Sequence, residues 1–418
     1  MEPGKIRLSS SDGRQTELTN AEIKALTASH VMNTYNRFPV AIVRGEGRRV
    51  WDADNRQYLD FTSGLAVCNL GHCHPRVVAA IKAQAEKLIH ISNLYHIGPQ
   101  AELAALLVAH SFADKVFFCN SGAEANEAAI KLARKYFNLK GSNRYQIVTM
   151  EKSFHGRTLA ALAATGQGKY RQGFEPLLEK FIYVPFNDVS AVRNAISSST
   201  AAVMLEPIQG EGGVNVPSDD YLKGVKAACK EVGALLIYDE VQVGVGRTGR
   251  LFAYEHSGVA PDIMTLAKGL AGGVAIGAMC ATDEVAQAFT PGTHASTFGG
   301  NPLATAAGLA AVRTVLEDGV LENCRKMSEH LRARLVELKQ SFPFITEVRG
   351  KGLILAAELA SGIKGADIVK AALDKGLLIN CIGESTLRFI PALTVTAGEV
   401  DEMIGILKAV LGAVEKKG

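Results

Sequence analysis

Lys268 stands between an apolar run at residues 263–266 and the glycine-bearing loop that begins at Gly269. A lysine so placed loses part of its hydration, and desolvation lowers an amine's pKa and makes it a nucleophile toward carbonyl carbon. Asp239 and Glu240 close another apolar run, residues 234–238. Acids at a strand end are seldom buried without partners, so this pair suits a metal, an acid and a base, the cation of a ligand, or the cap of the next turn. Asn120-Ser121-Gly122-Ala123 joins a short apolar strand to an amphipathic helix. Such a turn offers free N–H groups and the positive end of the helix dipole to an anion. The same residues also read as a plain cap, with Ser121 as N-cap and Glu124 completing a capping box.

Two further motifs carry less. Gly244-Val245-Gly246-Arg247-Thr248-Gly249 has the dinucleotide spacing, which taken alone would suggest an NAD-dependent oxidoreductase. That fingerprint needs a substantial helix from its third glycine, and here residues 251–256 run into Gly258 and Pro261, so a structural turn is expected. Gly71-His72-Cys73-His74-Pro75 invites a metal, yet no second cluster supplies the other ligands. Packing and turn roles are expected there, with no metal.

The elements that must position these residues follow from the apolar pattern. Short runs at 116–119, 147–149, 202–205, 234–238, 263–266 and 276–280 alternate with helical segments at 100–110, at 123–136, and from a Ser218 cap to about Val232. Buried strands alternating with helices argue for a parallel or mixed sheet covered on both faces, with ligand sites at the strand carboxyl ends. Residues 40–62 read as two strand-like runs around a turn, and the first thirty residues as a polar arm or short helix. After about residue 315 come a charged helix at 322–340, strands near 353–355 and 387–389, and a last helix at 397–415. The expected division is therefore an N-terminal arm and small β segment at 1–70, a large domain at 71–314, and a small α+β domain at 315–418.

Composition narrows the function classes. The 418 residues are 47% hydrophobic and 21% charged, enough for a sizeable core. A net charge of +3 with no block of like charges argues against a nucleic-acid partner. Residues 285–312 are uncharged, but Pro291, His294, Asn301 and Pro302 would put broken, polar backbone into lipid, so no membrane is expected. The N-terminal sequence lacks a secretory apolar core, and seven cysteines without a CxxC pair suit reduced thiols in a cytoplasmic protein.

These motifs stand in order with others: VWDADNRQYLDFTSGLAV, GHCHP, FFCNSGAEANEAAIKLAR, FHGRT, LEPIQGEGG, IYDEVQ, GRTGRLFA, TLAKGL, STFGGNPLA and LRFIPAL. The series resembles the class III aminotransferases, pyridoxal 5'-phosphate enzymes, over nearly the whole chain. HISNLY, EPIQGEGGV, DEVQVGVGRTG and HASTFGGNPLATA are most similar to the bacterial acetylornithine branch of that family. The resemblance implies an α/β fold, the PLP-dependent transferase fold type I, with a mostly parallel seven-stranded sheet flanked by helices and a smaller α+β domain.

It also implies roles, residue by residue. Lys268 would join the cofactor aldehyde and then serve as general base and acid. Asp239 would pair with the protonated pyridine nitrogen and keep the ring an electron sink. Gln242 would bond near the ring oxygen with Val241 beside it, Phe154 would stack on the ring, and Ser121, Gly122 and Ala123 would cradle the phosphate. Thr297 would reach the phosphate from a second subunit, implying a homodimer with shared active sites. Arg157 would grip the α-carboxylate of acetylornithine, with Ser296 nearby, and Arg388 would receive the α-carboxylate of glutamate or 2-oxoglutarate. Glu211 would mask Arg388 during the other half-reaction. The implied activity is ping-pong transfer of the terminal amine of acetylornithine to 2-oxoglutarate, in arginine biosynthesis. Leu65, where ornithine aminotransferases carry a tyrosine, suits an acylated amine. Ornithine, succinylornithine, succinyl-diaminopimelate and 4-aminobutyrate stand as alternative donors.

Overall fold

The computed structural model describes residues 18–415; of the first thirty residues, expected as an arm or short helix, Asn20–His30 forms a helix and 1–17 lie outside the described residues. At the centre is a seven-stranded sheet in the order Lys115–Cys119, Gly277–Ala281, Ile263–Leu266, Leu235–Asp239, Thr200–Leu205, Gln146–Met150, Phe181–Val184. Gly277–Ala281 runs against both of its neighbours and the other pairings are parallel. The strands read as continuous apolar runs because both faces are covered. Ala202, Met204, Leu235 and Ile237 pack on one side with the helix Gly122–Leu139. Val203, Leu205, Leu236 and Tyr238 pack on the other with the helix Tyr221–Val232. That split is the two-residue alternation of a pleated strand. Ala125, Ala128, Ala129 and Ala133 are buried on the first helix, and their small side chains let its axis lie close over the strands that end at the site.

The two ends of the chain meet. Ile42–Glu46, Arg49–Asp52 and Gln57–Asp60 form three strands where the sequence suggested two, and Leu377–Leu378 adds a fourth, parallel to Gln57–Asp60. A third sheet is antiparallel, in the order Ile345–Lys351, Ile354–Leu359, Thr386–Phe389, Asn380–Ile382. Ile345–Lys351 escapes sequence reading because it is an edge strand carrying Glu347, Arg349 and Lys351, the charged pattern that protects an open edge. The helices Val320–Ser341 and Ala397–Glu415 pack against each other in the core beside this sheet.

Three expectations meet their outcome here. Ser218 does not cap the following helix. That helix starts at Tyr221 after N-cap Asp220, which leaves Ser218 two residues too early, and its N–H and hydroxyl donate to Asn187 instead. The 244–249 loop is a turn with no long helix after it. Arg247 is fully buried and donates to Leu353 O, Pro391 O and Asn69 Oδ1, so the motif joins the sheet to the C-terminal segments. Gly246, at φ +91°, has no room for a side chain, since a Cβ would meet Leu393 at 2.8 Å. His72 packs rather than gathering ligands: its Nε2 lies 2.8 Å from Asp60 Oδ2, a bond that pushes His72 up to about 10. Among the described residues no helix is long and apolar enough to cross a membrane.

Candidate active site

Leu235–Asp239 delivers Asp239, 3% exposed, to the carboxyl edge of the sheet. Its Oδ2 accepts from Asn126 Nδ2 at 2.7 Å and lies 2.7 Å from His155 Nδ1. Its Oδ1 accepts the Val241 N–H at 3.0 Å. Asn126 is fixed in turn by the Thr265 hydroxyl, which donates to Oδ1 at 2.7 Å. Burial alone would lower the His155 pKa, but the bond and charge of Asp239 outweigh it and raise it. Glu240 points elsewhere and takes the N–H groups of Ala253 and Tyr254, as the cap reading expects. Burial pushes Glu240 up to about 8. Only one of the two acids therefore faces the site, which removes the reading of Asp239 and Glu240 as a working pair.

Ile263–Leu266 ends just before Lys268, whose backbone has φ +41°. Left-handed backbone in a non-glycine residue costs on the order of 1–3 kcal/mol and survives where its surroundings dictate it. Burial pushes the Lys268 amine below the ordinary lysine range, with the Glu211 charge opposing that shift. A second run of positive φ covers Ser63, Gly64, Leu65 and Ala66, at 44°, 61°, 64° and 63°. This turn leaves Leu65 45% exposed and brings Val67 to the cavity wall.

At the other end, the helix Gly122–Leu139 opens toward the same space. Ser121 Oγ accepts the Glu124 N–H at 3.2 Å, but the Glu124 carboxylate returns to the Asn120 N–H, so half of the expected capping box forms. First-turn N–H groups have no acceptor inside a helix, which leaves those of Gly122 and Ala123 to serve an anion. A Cβ on Gly122 would meet Val241 Cγ1 at 2.6 Å, so only glycine lets this wall close.

A cavity of about 400 Å³ joins the parts. Ser121, Gly122, Ala123, Phe154, Arg157, Glu211, Asp239, Val241, Gln242 and Lys268 all line it. Arg388 lies behind the wall, fully buried, and its Nη1 donates to Glu211 Oε1 at 2.6 Å and to Gln242 Oε1 at 3.1 Å. Gln242 Nε2 donates to the same Glu211 oxygen at 2.9 Å. Burial pushes the Glu211 carboxyl up, but Arg388 and Lys268 overcome it and hold it at about 2. Ser296 is one step outside the cavity, accepting from Asn120 Nδ2 at 3.2 Å, and Thr297 is exposed and off the cavity.

Sequence reading gave no role to His155, Asn126, Glu206 or Asn380. Glu206 is buried, accepts the Phe154 and Gly210 N–H groups, and is pushed up to about 7 by burial. Asn380 accepts from Arg388 Nε at 3.2 Å. The available signals were His155 inside the FHGRT block and Asn126 one helical turn after Gly122.

Residues 31–411 match the family described as Aminotransferase class-III. The chain belongs to the class III aminotransferases. It is 54% identical to the acetylornithine aminotransferase of Caldanaerobacter subterraneus subsp. tengcongensis over 386 residues, covering 92% of this chain and 98% of that one. The N-acetylornithine aminotransferase of Stenotrophomonas maltophilia K279a superposes with TM-score 0.81 and 39% identity over 94% of this chain and all of that one. The ornithine aminotransferase of Toxoplasma gondii, solved with PLP partly occupying its active site, gives TM-score 0.92 and 35% identity over 96% and 95%. Enzymes of this family use pyridoxal 5'-phosphate, and the cleft suits it. The side-chain-free cradle at Gly122 fits a phosphate, the Asp239 carboxylate fits a ring cation, and the Lys268 amine fits an aldehyde.

Proposed function

We propose that this class III aminotransferase moves the terminal amino group of N2-acetyl-L-ornithine to 2-oxoglutarate, giving N-acetyl-L-glutamate 5-semialdehyde and L-glutamate. The observation that carries this reading is the unequal state of two arginines. Arg388 is already neutralised by Glu211, whereas Arg157 lines the cavity with no hydrogen-bonded or ionic partner among the described residues. A donor with one carboxylate remote from its reacting amine needs one open arginine, and Arg157 receives that carboxylate as a fork onto a planar anion. The dicarboxylate acceptor needs two. Its second carboxylate displaces Glu211 and takes Arg388.

When bound, pyridoxal phosphate supplies an aldehyde that takes up the amine and a ring that spreads the charge left as a C–H proton departs. Asp239, its carboxylate fixed by Asn126, His155 and Val241, would pair with the ring nitrogen. Lys268 Nζ, its basicity lowered by burial, takes the proton from the donor carbon bearing the amine. Phe154 would pack on the ring, and Val241 and Gln242 would border it; all three line the cavity. The N–H groups of Gly122 and Ala123, with Ser121, would hold the phosphate. Ser296 approaches the substrate that Arg157 holds, and Thr297 of the partner subunit would reach the phosphate across a homodimer. The exposed Leu94, Tyr95 and Phe298 near that loop supply apolar surface for such a contact. Residues 1–70 and 315–418 act as one small unit against 71–314, in keeping with the shared sheet of Gln57–Asp60 and Leu377–Leu378. Seven free thiols suit the cytoplasm.

The acyl group is read from the relatives' names and from Leu65, an exposed apolar residue two positions before Val67 of the cavity wall. The test is a donor panel with 2-oxoglutarate: N-acetylornithine, ornithine, succinylornithine, succinyl-diaminopimelate and 4-aminobutyrate. N-acetylornithine is expected to show the highest kcat/KM. A higher value for free ornithine, the donor named for the Toxoplasma enzyme, would overturn the assignment.

A further inference from the structure

Arg157 is exposed and makes no hydrogen bond or ion pair with a described residue, yet its guanidinium is not loose. Its Cζ lies 3.9 Å from the centre of the Tyr170 ring and 5.3 Å from that of Phe154. The two rings meet edge to face, 5.8 Å apart at 86°. Tyr170 comes from the short helical turn Gly168–Arg171, an element that contributes no residue to the cavity wall, so Tyr170 meets the site through Arg157 and Phe154. The Tyr170 ring is half-buried, and its hydroxyl bonds to no described residue. What Tyr170 offers the site is therefore its ring.

A cation over an aromatic face is drawn to the ring quadrupole, and a stacked guanidinium spends its face while its N–H donors stay free around the edge. A two-point grip on a carboxylate needs such an edge presented in one plane. An unsupported exposed arginine would sample many rotamers, and ordering it would weaken binding. We propose that Tyr170 is a positioning and specificity-determining residue: its ring holds the Arg157 guanidinium with its donor edge toward the cleft, in register with Phe154. The proposal deepens the reading of Arg157 as the donor-carboxylate site and rests on it.

The test uses the holoenzyme and N-acetyl-L-norvaline, which keeps the acyl group and carboxylate of the donor but has no amine to transfer. Calorimetry should show Tyr170→Leu binding it about five- to tenfold more weakly than the unsubstituted enzyme, the size of one partly shielded cation–π contact. Tyr170→Phe, which keeps the ring, should bind within about twofold of the unsubstituted enzyme. In turnover, Tyr170→Leu should raise KM for N-acetylornithine by the same factor. Its preference for N-acetylornithine over N-acetylputrescine, which lacks the carboxylate, should fall equally. Norvaline affinity unchanged in Tyr170→Leu but lost in Arg157→Leu would overturn the Tyr170 proposal and leave the Arg157 reading standing. Affinity unchanged in Arg157→Leu as well would overturn both. A Tyr170→Phe variant as weak as Tyr170→Leu, or an equal loss on both donors, would reduce Tyr170 to a structural part. Tyr170→Met serves if Tyr170→Leu does not fold.

Discussion

At the floor of the cleft Asp239 is held by Asn126, His155 and the Val241 N–H, whereas at the rim Arg157 rests on an aromatic face with its donors open. Arg388 stands between these extremes, buried like the floor but paired with Glu211, the partner that the acceptor's carboxylate is proposed to replace. The difference separates two tasks. Groups that hold charge or move a proton at one atom gain from fixed surroundings, because reorganising them during reaction is costly. Groups that must accept two different substrates in turn gain from engagement that can be broken. Rigidity here follows the chemistry, and adaptability follows recognition.

The largest test of the floor is Lys268→Ala, which should lower turnover about 10⁴-fold, the upper range for a lost proton-transfer group. Single-turnover kinetics would show it, and a variant retaining a tenth of the rate would break the contrast at its strongest point. Asp239→Asn keeps the shape but not the charge proposed to pair with the ring nitrogen, so kcat should fall by about 10²–10³ while the protein still melts cooperatively. At the rim, Glu211→Gln should shift preference toward α-amino donors roughly tenfold, equivalent to about 1.4 kcal/mol, as measured by the ratio of kcat/KM values. Unchanged specificity would mean that the Glu211–Arg388 pair is part of the fixed floor after all. Because Glu211 is held at about 2, below its usual 4.5, the pair stabilises the fold fully above pH 4.5 and loses that effect as pH falls through about 2.

The smallest effect is expected away from both regions, at His72. Its pKa, pushed up to about 10 from 6.5, means that the bond to Asp60 stabilises the fold fully below pH 6.5 and loses that effect as pH rises through about 10. The melting temperatures of the unsubstituted protein and His72→Gln should differ below pH 6.5 and converge near pH 10, with kcat little changed. A gap that widens toward high pH would mean that the pair is not the source of the shift.

Sequence made the rim and the cradle legible because their residues sit in short contiguous blocks: Ser121-Gly122-Ala123, Phe154 to Arg157, Asp239 to Gln242, and Lys268. Six of the seven central strands were legible because burial on both faces makes them plain apolar runs; the seventh, Phe181–Val184, lies at the sheet edge, is only partly buried, and escapes sequence reading. The illegible part is mostly support at long range. Asn126 and His155 meet Asp239 across 113 and 84 residues, and no local pattern announces that convergence. The strand Ile345–Lys351 was hidden by the charges that guard its open edge. Two glycine-bearing turns that follow strands part ways at the next element of the chain. Gly122 opens an 18-residue helix, while the 244–249 turn leads to a four-residue 3-10 helix, and only the first keeps a helix dipole to offer an anion.

The central claim is that the Lys268 amine carries the chemistry. Borohydride reduction of the pyridoxal-phosphate-loaded enzyme, followed by peptide mapping, tests it directly. The cofactor should become fixed to the peptide bearing Lys268, and prior incubation with N-acetyl-L-ornithine should abolish the labelling. Labelling of any other lysine, or of Lys268 regardless of donor, would contradict the claim.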